Sequence, residues 1–327
     1  MPKIRSEKSS EGHSSQYENI LKKNKKSKRL AEFKKTFPMY LMLIPGVIYL
    51  VCNNYLPMFG ILIAFKKVNF SIGVLKSPWV GLSNFRFLFE TKDAWIMIRN
   101  TLAYNAVFII LGMAIAIFVA LCMAEISNRG IAKIIQPIIC FPSMVSAVIL
   151  SFIVYAFLST TYGFVNRTFF PDSPINWYAT AKYWPFILTI VHFWQVTGQS
   201  SIIYMASIGG IDKELYEAAR IDGASKFKQI WHITLPLLKP MMTLMLLLSI
   251  GRIFNSDFGL FYQVPLGSGL LYNTTQTIDT YVYRALLELN NVGMSSAASV
   301  FQAIIGFLLV ILSNALVRNI DKENALF

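Results

Sequence analysis

Long apolar segments alternate with polar segments along the chain, and their lengths set the first expectation about the fold. The hydrocarbon core of a bilayer is roughly 30 Å thick, and about 20 apolar residues cross it as a helix that satisfies its own backbone hydrogen bonds. Six segments have this length and character. They cover residues 38–65, 101–123, 134–158, 184–205, 237–254 and 297–317. The pattern predicts an all-α membrane protein with six transmembrane helices.

The composition supports a membrane protein. Of the 327 residues, 55% are hydrophobic and only 14% are charged, a balance far more apolar than that of a soluble domain. The net charge of +13 could suggest nucleic-acid binding, but the basic residues cluster outside the apolar segments instead of covering a polar folded surface. The charge therefore indicates membrane topology, and no nucleic-acid partner is expected.

The distribution of Lys and Arg predicts the orientation and the domain boundaries. Residues 1–37 form a strongly basic tail, and most of the 30 Lys and Arg residues lie on the side of the membrane that this tail occupies. Because positively charged loops stay in the cytoplasm, both termini are expected there, including residues 318–327. Residues 66–97 are expected to form an extracytoplasmic or interfacial segment after the first span. The main transmembrane domain is then expected to cover residues 98–317.

A polar loop, residues 211–236, lies between the fourth and fifth predicted spans and is longer than most connections. Asp212 is a suitable N-cap for a short helix, and Gly223 is a suitable stop. Ser225 can start a second short helix, which Pro236 is expected to end before the next span. Residue pattern alone leaves two interpretations open: a solvated amphipathic loop, or a surface onto which a partner protein docks.

The residues of this loop carry a family resemblance. Glu217-Ala218-Ala219, then Gly223, then Leu235-Pro236 resembles the EAA loop of permeases from binding-protein-dependent ABC importers. The sequence departs from many sugar permeases at Asp212, where they have proline, but Asp can cap the helix equally well. The resemblance implies a type I ABC importer permease (MetI-like) fold, with this loop as the cytoplasmic element that couples to an ATPase. The implied coupling residues are Glu214, Tyr216, Glu217, Ala218, Ala219, Arg220, Asp222, Gly223 and Pro236.

Two further segments resemble a narrower subgroup. Residues 55–66 and 278–284 are similar to permeases for polysaccharides and complex oligosaccharides. This resemblance implies import of an oligosaccharide or polysaccharide fragment across a bacterial cytoplasmic membrane. The implied partners are a second permease subunit, an ABC ATPase dimer, an extracytoplasmic solute-binding protein, membrane lipid and the carbohydrate substrate.

Polar and aromatic side chains inside the predicted spans are candidates for a substrate path. Polar groups in lipid are costly, and sugars are bound by aromatic rings together with amide, carboxylate and guanidinium groups. An interhelical hydrogen bond or a helix cap is the simpler explanation for each residue taken singly. The candidates are Tyr104, Asn105, Tyr155, Trp194, Gln195, Gln199, Arg252, Asn255 and Asp257.

The sequence carries no pattern for catalysis by this chain. It has no phosphate-binding GxxxxGK[ST] loop, no Ser/His/Asp arrangement and no metal-ligand cluster, so no cofactor or metal is expected. ATP and Mg²⁺ are expected on the partner ATPase. An ion-coupled secondary transporter and a membrane enzyme are the alternatives. The first would need an ion site within the spans, and the second would need acidic or His clusters at one interface.

Overall fold

The computed structural model describes residues 36–126 and 128–320, and these residues are mainly helical. Within them the only β pairing is an isolated bridge between Lys66 and Trp79. Ten helices are labelled here in chain order. They are α1 (Thr36–Phe65), α2 (Lys92–Ala124), α3 (Arg129–Cys140), α4 (Ala147–Leu158), α5 (Phe164–Phe169), α6 (Trp184–Gly209), α7 (Lys213–Ile221), α8 (Lys226–Ile250), α9 (Ile278–Leu287) and α10 (Val292–Ile320). The expectation of an all-α fold is confirmed.

Backbone contacts divide the chain after Ile61. The described part of the first unit, residues 36–61, is helical and belongs to α1. The second unit, which starts at Leu62, contains all the other labelled helices and the sites described below. The basic tail predicted for residues 1–37 lies almost entirely outside the described residues, as do residues 321–327 of the predicted C-terminal segment.

Within the described residues, four helices are long and apolar enough to cross a membrane: α1, α2, α8 and α10. A bent pair made of Gly130–Met144 and Ala147–Leu158 raises the number to five if it counts as one span. Helix α6 has 26 residues, which is ample length, but polar residues such as Gln195 and Gln199 lower its apolar character. Helical segments therefore overlap each predicted span, while the count of six stays a prediction.

The third predicted span, residues 134–158, is not one straight helix. Helix α3 leads into a 3₁₀ turn, Phe141–Met144, and α4 then leaves at 95°. Pro142 lies in that turn, and Val145 adopts an extended conformation that cannot continue a helix. Ser146 then caps α4 by accepting a hydrogen bond from the Ile149 amide. The apolar run gave the length of this segment but not its bend.

The expectation that Pro236 ends a short helix is wrong. Helix α8 runs from Lys226 to Ile250 without interruption and contains one π turn, Ile230–Thr234. Pro236 lies in the first turn after that π segment, where the Leu235 amide donates to the Ile230 carbonyl. Because the π turn shifts the hydrogen-bond register ahead of the proline, the helix tolerates the missing N–H.

Helix α2 also starts earlier than predicted, at Lys92 instead of residue 101. The Thr91 hydroxyl caps it by accepting from the Ala94 amide over 3.2 Å. The predicted boundary at residue 98 therefore falls inside a helix. Before α2, residues 66–91 form turns, a 3₁₀ helix (Gly81–Phe85) and a short α-helix (Phe87–Glu90). Within the turns, the Lys66 Nζ donates to the Leu75 carbonyl over 2.6 Å.

Helices α2 and α6 form the most extensive helix pair of the second unit. Ala116, Ala120 and Tyr204 are buried where these helices meet α8. Gly198 lets α6 approach the preceding bent segment, because a Cβ at this position would overlap the Ile139 carbonyl. Close packing through small residues is the usual way in which helices associate in a bilayer. This packing builds the walls of the cleft described next.

Candidate substrate cleft and coupling loop

A cleft of about 480 Å³ lies among α2, α6 and the end of α8. Its lining combines apolar side chains with polar groups that are unusual at the depth of a membrane span. Four of the nine candidate substrate-path residues line it: Asn105, Arg252, Asn255 and Asp257. The polar groups that join them are Ser249, Ser256, Thr197, Ser200 and His192. The structure therefore gathers part of the predicted path around one cavity.

The turn after α8, residues 251–257, carries four polar residues of this cleft: Arg252, Asn255, Ser256 and Asp257. Asn105 of α2 donates from Nδ2 to the carbonyl oxygens of Ile253 and Asn255, each over 2.9 Å. From the opposite side, Gln302 of α10 donates from Nε2 to the Phe254 carbonyl over 2.6 Å. Two side-chain amides therefore satisfy backbone carbonyls that no regular helix satisfies, and they fix the turn. Asn105 positions this turn through its amide nitrogen.

Asp279 provides a third anchor for the same turn. Its carboxylate accepts hydrogen bonds from the Ser256 amide and from the Ser256 hydroxyl, the latter over 2.8 Å. The Gln302 amide lies 3.2 Å from the same carboxylate oxygen. Asp279 lies in the first turn of α9, where the positive end of a helix stabilises a carboxylate. The turn is thus tied to α2, α9 and α10.

The two charged side chains of the cleft, Arg252 and Asp257, do not pair with each other. The Arg252 side chain is exposed, and its guanidinium has no salt-bridge partner among the described residues. The Asp257 carboxylate accepts from the Leu260 amide over 3.2 Å, at the start of a short π turn. On the α6 wall, the His192 ring stacks on Phe108 with centroids 3.7 Å apart. The cleft therefore offers one guanidinium, one carboxylate and a flat ring pair.

The other five candidates lie away from this cleft. The Tyr104 hydroxyl donates to the Thr274 carbonyl over 2.8 Å, and the Gln195 amide donates to the Val145 carbonyl over 3.3 Å. Trp194 lines an almost entirely apolar groove between α4 and α6. Gln199 is exposed on α6. Tyr155 lies 5.6 Å, between ring centroids, from Tyr178.

Tyr178, whose ring lies beside that of Tyr155, belongs to a short turn outside the predicted spans. Burial raises the pKa of the Tyr178 phenol above its ordinary value, and the nearby Tyr155 adds to the shift. The Tyr178 backbone carbonyl accepts from the Ser268 hydroxyl over 3.1 Å. These contacts tie together two loops at one end of the helices. A sugar contact for Tyr155, Trp194 or the other three residues stays a prediction.

The predicted coupling loop, residues 211–236, forms α7 and the first part of α8. Asp212 caps α7 as expected, since its carboxylate accepts from the Glu214 amide over 3.0 Å. Gly223 has φ +78°, and the amides of Gly223 and Ala224 donate to the carbonyls of Arg220 and Ala219. This is the Schellman arrangement that ends a helix on a left-handed glycine. Ser225 then caps α8.

Helix α7 is exposed over most of its surface. Glu214, Glu217, Ala218 and Arg220 are all exposed, as are Asp222 and Gly223 after the helix end. Its last residue, Ile221, is 87% accessible, so an apolar side chain lies uncovered at the end of the helix. Glu217, Tyr216 and Arg220 line a cleft of about 410 Å³ beside the ends of α2 and α6. The helix presents acidic, small and apolar groups together.

Two side-chain contacts hold α7 and α8 against the neighbouring helices. The Tyr216 and Thr234 hydroxyl oxygens lie 2.9 Å apart in a hydrogen bond, which links α7 to α8. The Lys226 Nζ lies 2.7 Å from the Glu125 carboxylate just after α2, although both side chains are largely exposed. Tyr216, a predicted coupling residue, thus contacts this chain's own helix α8 through its hydroxyl.

Gln302, Asp279 and Ser256 were not among the candidates, although they hold the turn that carries Arg252. Gln302 could have been found as an amide inside a predicted span, the same signal that selected Asn105. Ser256 lies between the candidates Asn255 and Asp257, just past the fifth predicted span, but a serine there gives no signal of its own. Asp279 lies farther into the segment between the last two predicted spans, where a polar residue carries no such signal. Their roles depend on a contact between segments that are distant in sequence.

Comparison with known proteins identifies the family. Residues 109–324 match the family model described as the binding-protein-dependent transport system inner membrane component. This chain belongs to that family. It is therefore a multi-pass membrane permease of ABC importers and not an enzyme, and ATP hydrolysis belongs to the partner ATPase.

Two curated relatives from Bacillus subtilis (strain 168) match nearly the whole permease. The polygalacturonan/rhamnogalacturonan transport system permease protein YteP is 34% identical over 311 residues, which cover 93% of this chain and 95% of YteP. Protein LplB is 30% identical over 296 residues, which cover 90% of this chain and 92% of LplB.

A solved structure agrees with the fold. It is the crystal structure of a bacterial ABC transporter involved in the import of the acidic polysaccharide alginate, which matches with a TM-score of 0.80 and 29% identity. The match covers 89% of this permease and 98% of the chain in that structure. The expected family and the all-α permease fold are thus confirmed, while the count of six spans and the coupling loop stay predictions.

Proposed function

We propose that this permease imports an oligosaccharide or polysaccharide fragment, which an extracytoplasmic solute-binding protein delivers. The observation that carries the proposal is the polar cleft among α2, α6 and α8, which offers guanidinium, carboxylate, amide and hydroxyl groups beside a stacked ring pair. Sugars need hydrogen-bond partners for their hydroxyls and a flat surface for their C–H faces. The relatives add support, since one is named for polygalacturonan transport and a solved neighbour for alginate import.

The permease works with a second permease chain and an ATPase dimer, which binds ATP and Mg²⁺. Both termini and the coupling loop face the cytoplasm of a bacterium, in agreement with the excess of positive charge there. Helix α7 docks into a groove of the ATPase, with Glu217 pairing with a basic residue. The exposure of Glu217, Ala218 and Ile221 supports this, because an uncovered small-residue surface with a carboxylate suits a charge-assisted contact.

The experiment that tests this function is reconstitution. The permease is purified with candidate partners, namely a second permease, an ATPase and a solute-binding protein, and the complex is placed in liposomes. ATP hydrolysis is then measured with the binding protein empty and loaded with sugar. We expect the sugar-loaded protein to stimulate hydrolysis and to deliver radiolabelled sugar to the lumen. Failure of the chain to associate with any ATPase would overturn the proposal.

The same assay separates the alternatives. A secondary transporter would accumulate sugar in response to an ion gradient without ATP. A membrane enzyme would convert a lipid or glycan without moving it. Neither activity is expected from this permease.

A further inference from the structure

Arg252 differs from several other arginines of this chain in what surrounds its guanidinium. Arg86 pairs with Glu90 at 3.0 Å, and Arg284 pairs with Glu288 at 3.1 Å. Arg99 donates to the Asn273 carbonyl over 2.8 Å. Arg252 lines the cleft, and within the described residues no carboxylate lies within salt-bridge distance of it. A positive charge at the end of a membrane span without a partner calls for a ligand.

The fold directs this side chain towards the cleft. Gly251 packs on α10, where a Cβ on Gly251 would lie 2.6 Å from the Val310 Cγ2. A Cβ on Gly306 of α10 would lie 3.2 Å from the Gly251 carbonyl oxygen. The backbone before Arg252 is therefore pressed against α10, and the arginine side chain lines the cavity. Asn105 and Gln302 fix the residues that follow. The guanidinium is thus carried on a turn that is held on two sides.

The other charged group of the cleft, the Asp257 carboxylate, does not form an ion pair with Arg252. The Asp257 carboxylate is engaged with the Leu260 amide and lies beyond salt-bridge distance of the guanidinium. A neutral sugar would offer Arg252 only hydroxyl groups. A sugar carboxylate would instead take two parallel N–H donors and neutralise the charge, which is the stronger arrangement. The nearby hydroxyls and amide of Ser249, Ser256 and Asn255 suit the other oxygens of a sugar ring.

We infer that Arg252 binds the carboxylate of a uronate unit, so that this permease selects acidic oligosaccharides over neutral ones of the same size. The inference rests on the proposed function, because it assigns the substrate class at the same cleft. Arg252 is then the residue that determines specificity, while Asp257, Asn255 and the serines bind groups common to acidic and neutral sugars.

The test compares two probes that differ only in charge. One is trigalacturonate, and the other is the same trisaccharide with each carboxylate reduced to a hydroxymethyl group. Their binding to the assembled transporter in detergent, without binding protein, is measured by calorimetry. We expect the wild type to bind trigalacturonate more tightly. Arg252→Gln should weaken that binding roughly 10- to 100-fold, as expected for loss of a charge-assisted contact. The affinity of this variant for the reduced probe should stay within about twofold of the wild-type value.

Two further variants make the result specific. Arg252→Lys keeps the charge but loses the bidentate geometry, so it should bind trigalacturonate with intermediate affinity. Lys239→Gln removes a positive charge from α8 outside the cleft and should match the wild type. Equal weakening of both probes by Arg252→Gln would assign the residue a structural role and overturn the inference. No wild-type preference for the acidic probe, or no binding of it, would overturn the inference as well.

Failure of the inference can be told apart from failure of the proposed function. If a binding protein loaded with neutral sugar stimulates ATP hydrolysis in liposomes while the acidic preference is absent, only the specificity assignment falls. If no sugar-loaded binding protein stimulates hydrolysis, the importer function falls with it.

Discussion

Gln302 of α10 donates a 2.6 Å hydrogen bond to the backbone carbonyl of Phe254, the last residue of the predicted fifth span. A single amide thus closes a turn that would otherwise leave a buried carbonyl without a partner. Since this turn also lines the cleft, the contact links the packing of α10 to the geometry of the polar groups in the cleft.

Gln302→Leu should lower stability and transport together. The substitution leaves the Phe254 carbonyl and part of the Asp279 network unsatisfied, which costs about 1–3 kcal/mol for a buried group. We expect a lower unfolding midpoint in detergent and slower uptake in liposomes. Gln136→Leu, the same change on α3, is the control and should shift the midpoint less. Equal shifts for the two variants would contradict the role given to Gln302.

Gly198→Ala should destabilise the packing of α6 on the bent segment. A Cβ at Gly198 overlaps the Ile139 carbonyl, so the backbone must move, and overpacking of this kind costs about 1–3 kcal/mol. Gly209→Ala lies at the end of the same helix, where a Cβ meets nothing within 4 Å, and it should be close to neutral. Thermal unfolding of both variants in one detergent checks this. The account of α6 packing fails if Gly209→Ala is the more damaging change.

The Glu125–Lys226 pair should contribute little, and its contribution should depend on salt. Both side chains are largely exposed, and exposed pairs contribute about 0.2–1 kcal/mol. Glu125→Gln and Lys226→Gln should each lower the free energy of unfolding by this amount at low ionic strength. The double variant should lower it by no more than either single variant. The loss should fade in about 1 M salt, where charges are screened within roughly 3 Å. Losses that persist in high salt would show that the pair acts through packing.

Much of the helical framework follows from the sequence. The apolar runs located α1, α6 and α10 well, and the caps at Asp212 and Gly223 were correct because each depends only on neighbouring residues. The bend between α3 and α4 was not predicted. An apolar run reports burial in lipid but not the backbone path, which Pro142 and the extended Val145 decide.

The site was less predictable than the framework. Polar residues within apolar runs drew attention to Asn105 and Arg252, which share one cleft. The same signal also selected Tyr104 and Gln195, which donate to backbone carbonyls elsewhere. Sequence pattern cannot separate a polar group that faces a cavity from one that satisfies a neighbouring helix. That difference depends on contacts between distant segments, such as Gln302 with Phe254.

The coupling of the permease to its ATPase through α7 is tested most directly by Glu217→Lys. The measurement is ATP hydrolysis stimulated by the sugar-loaded binding protein in liposomes, together with sugar uptake. Reversal of an exposed charge on α7 should abolish both while the chain still assembles in the membrane. Asp172→Lys, the same reversal at an exposed residue outside the loop, should leave both near wild-type levels. Wild-type hydrolysis and uptake by Glu217→Lys would contradict the account.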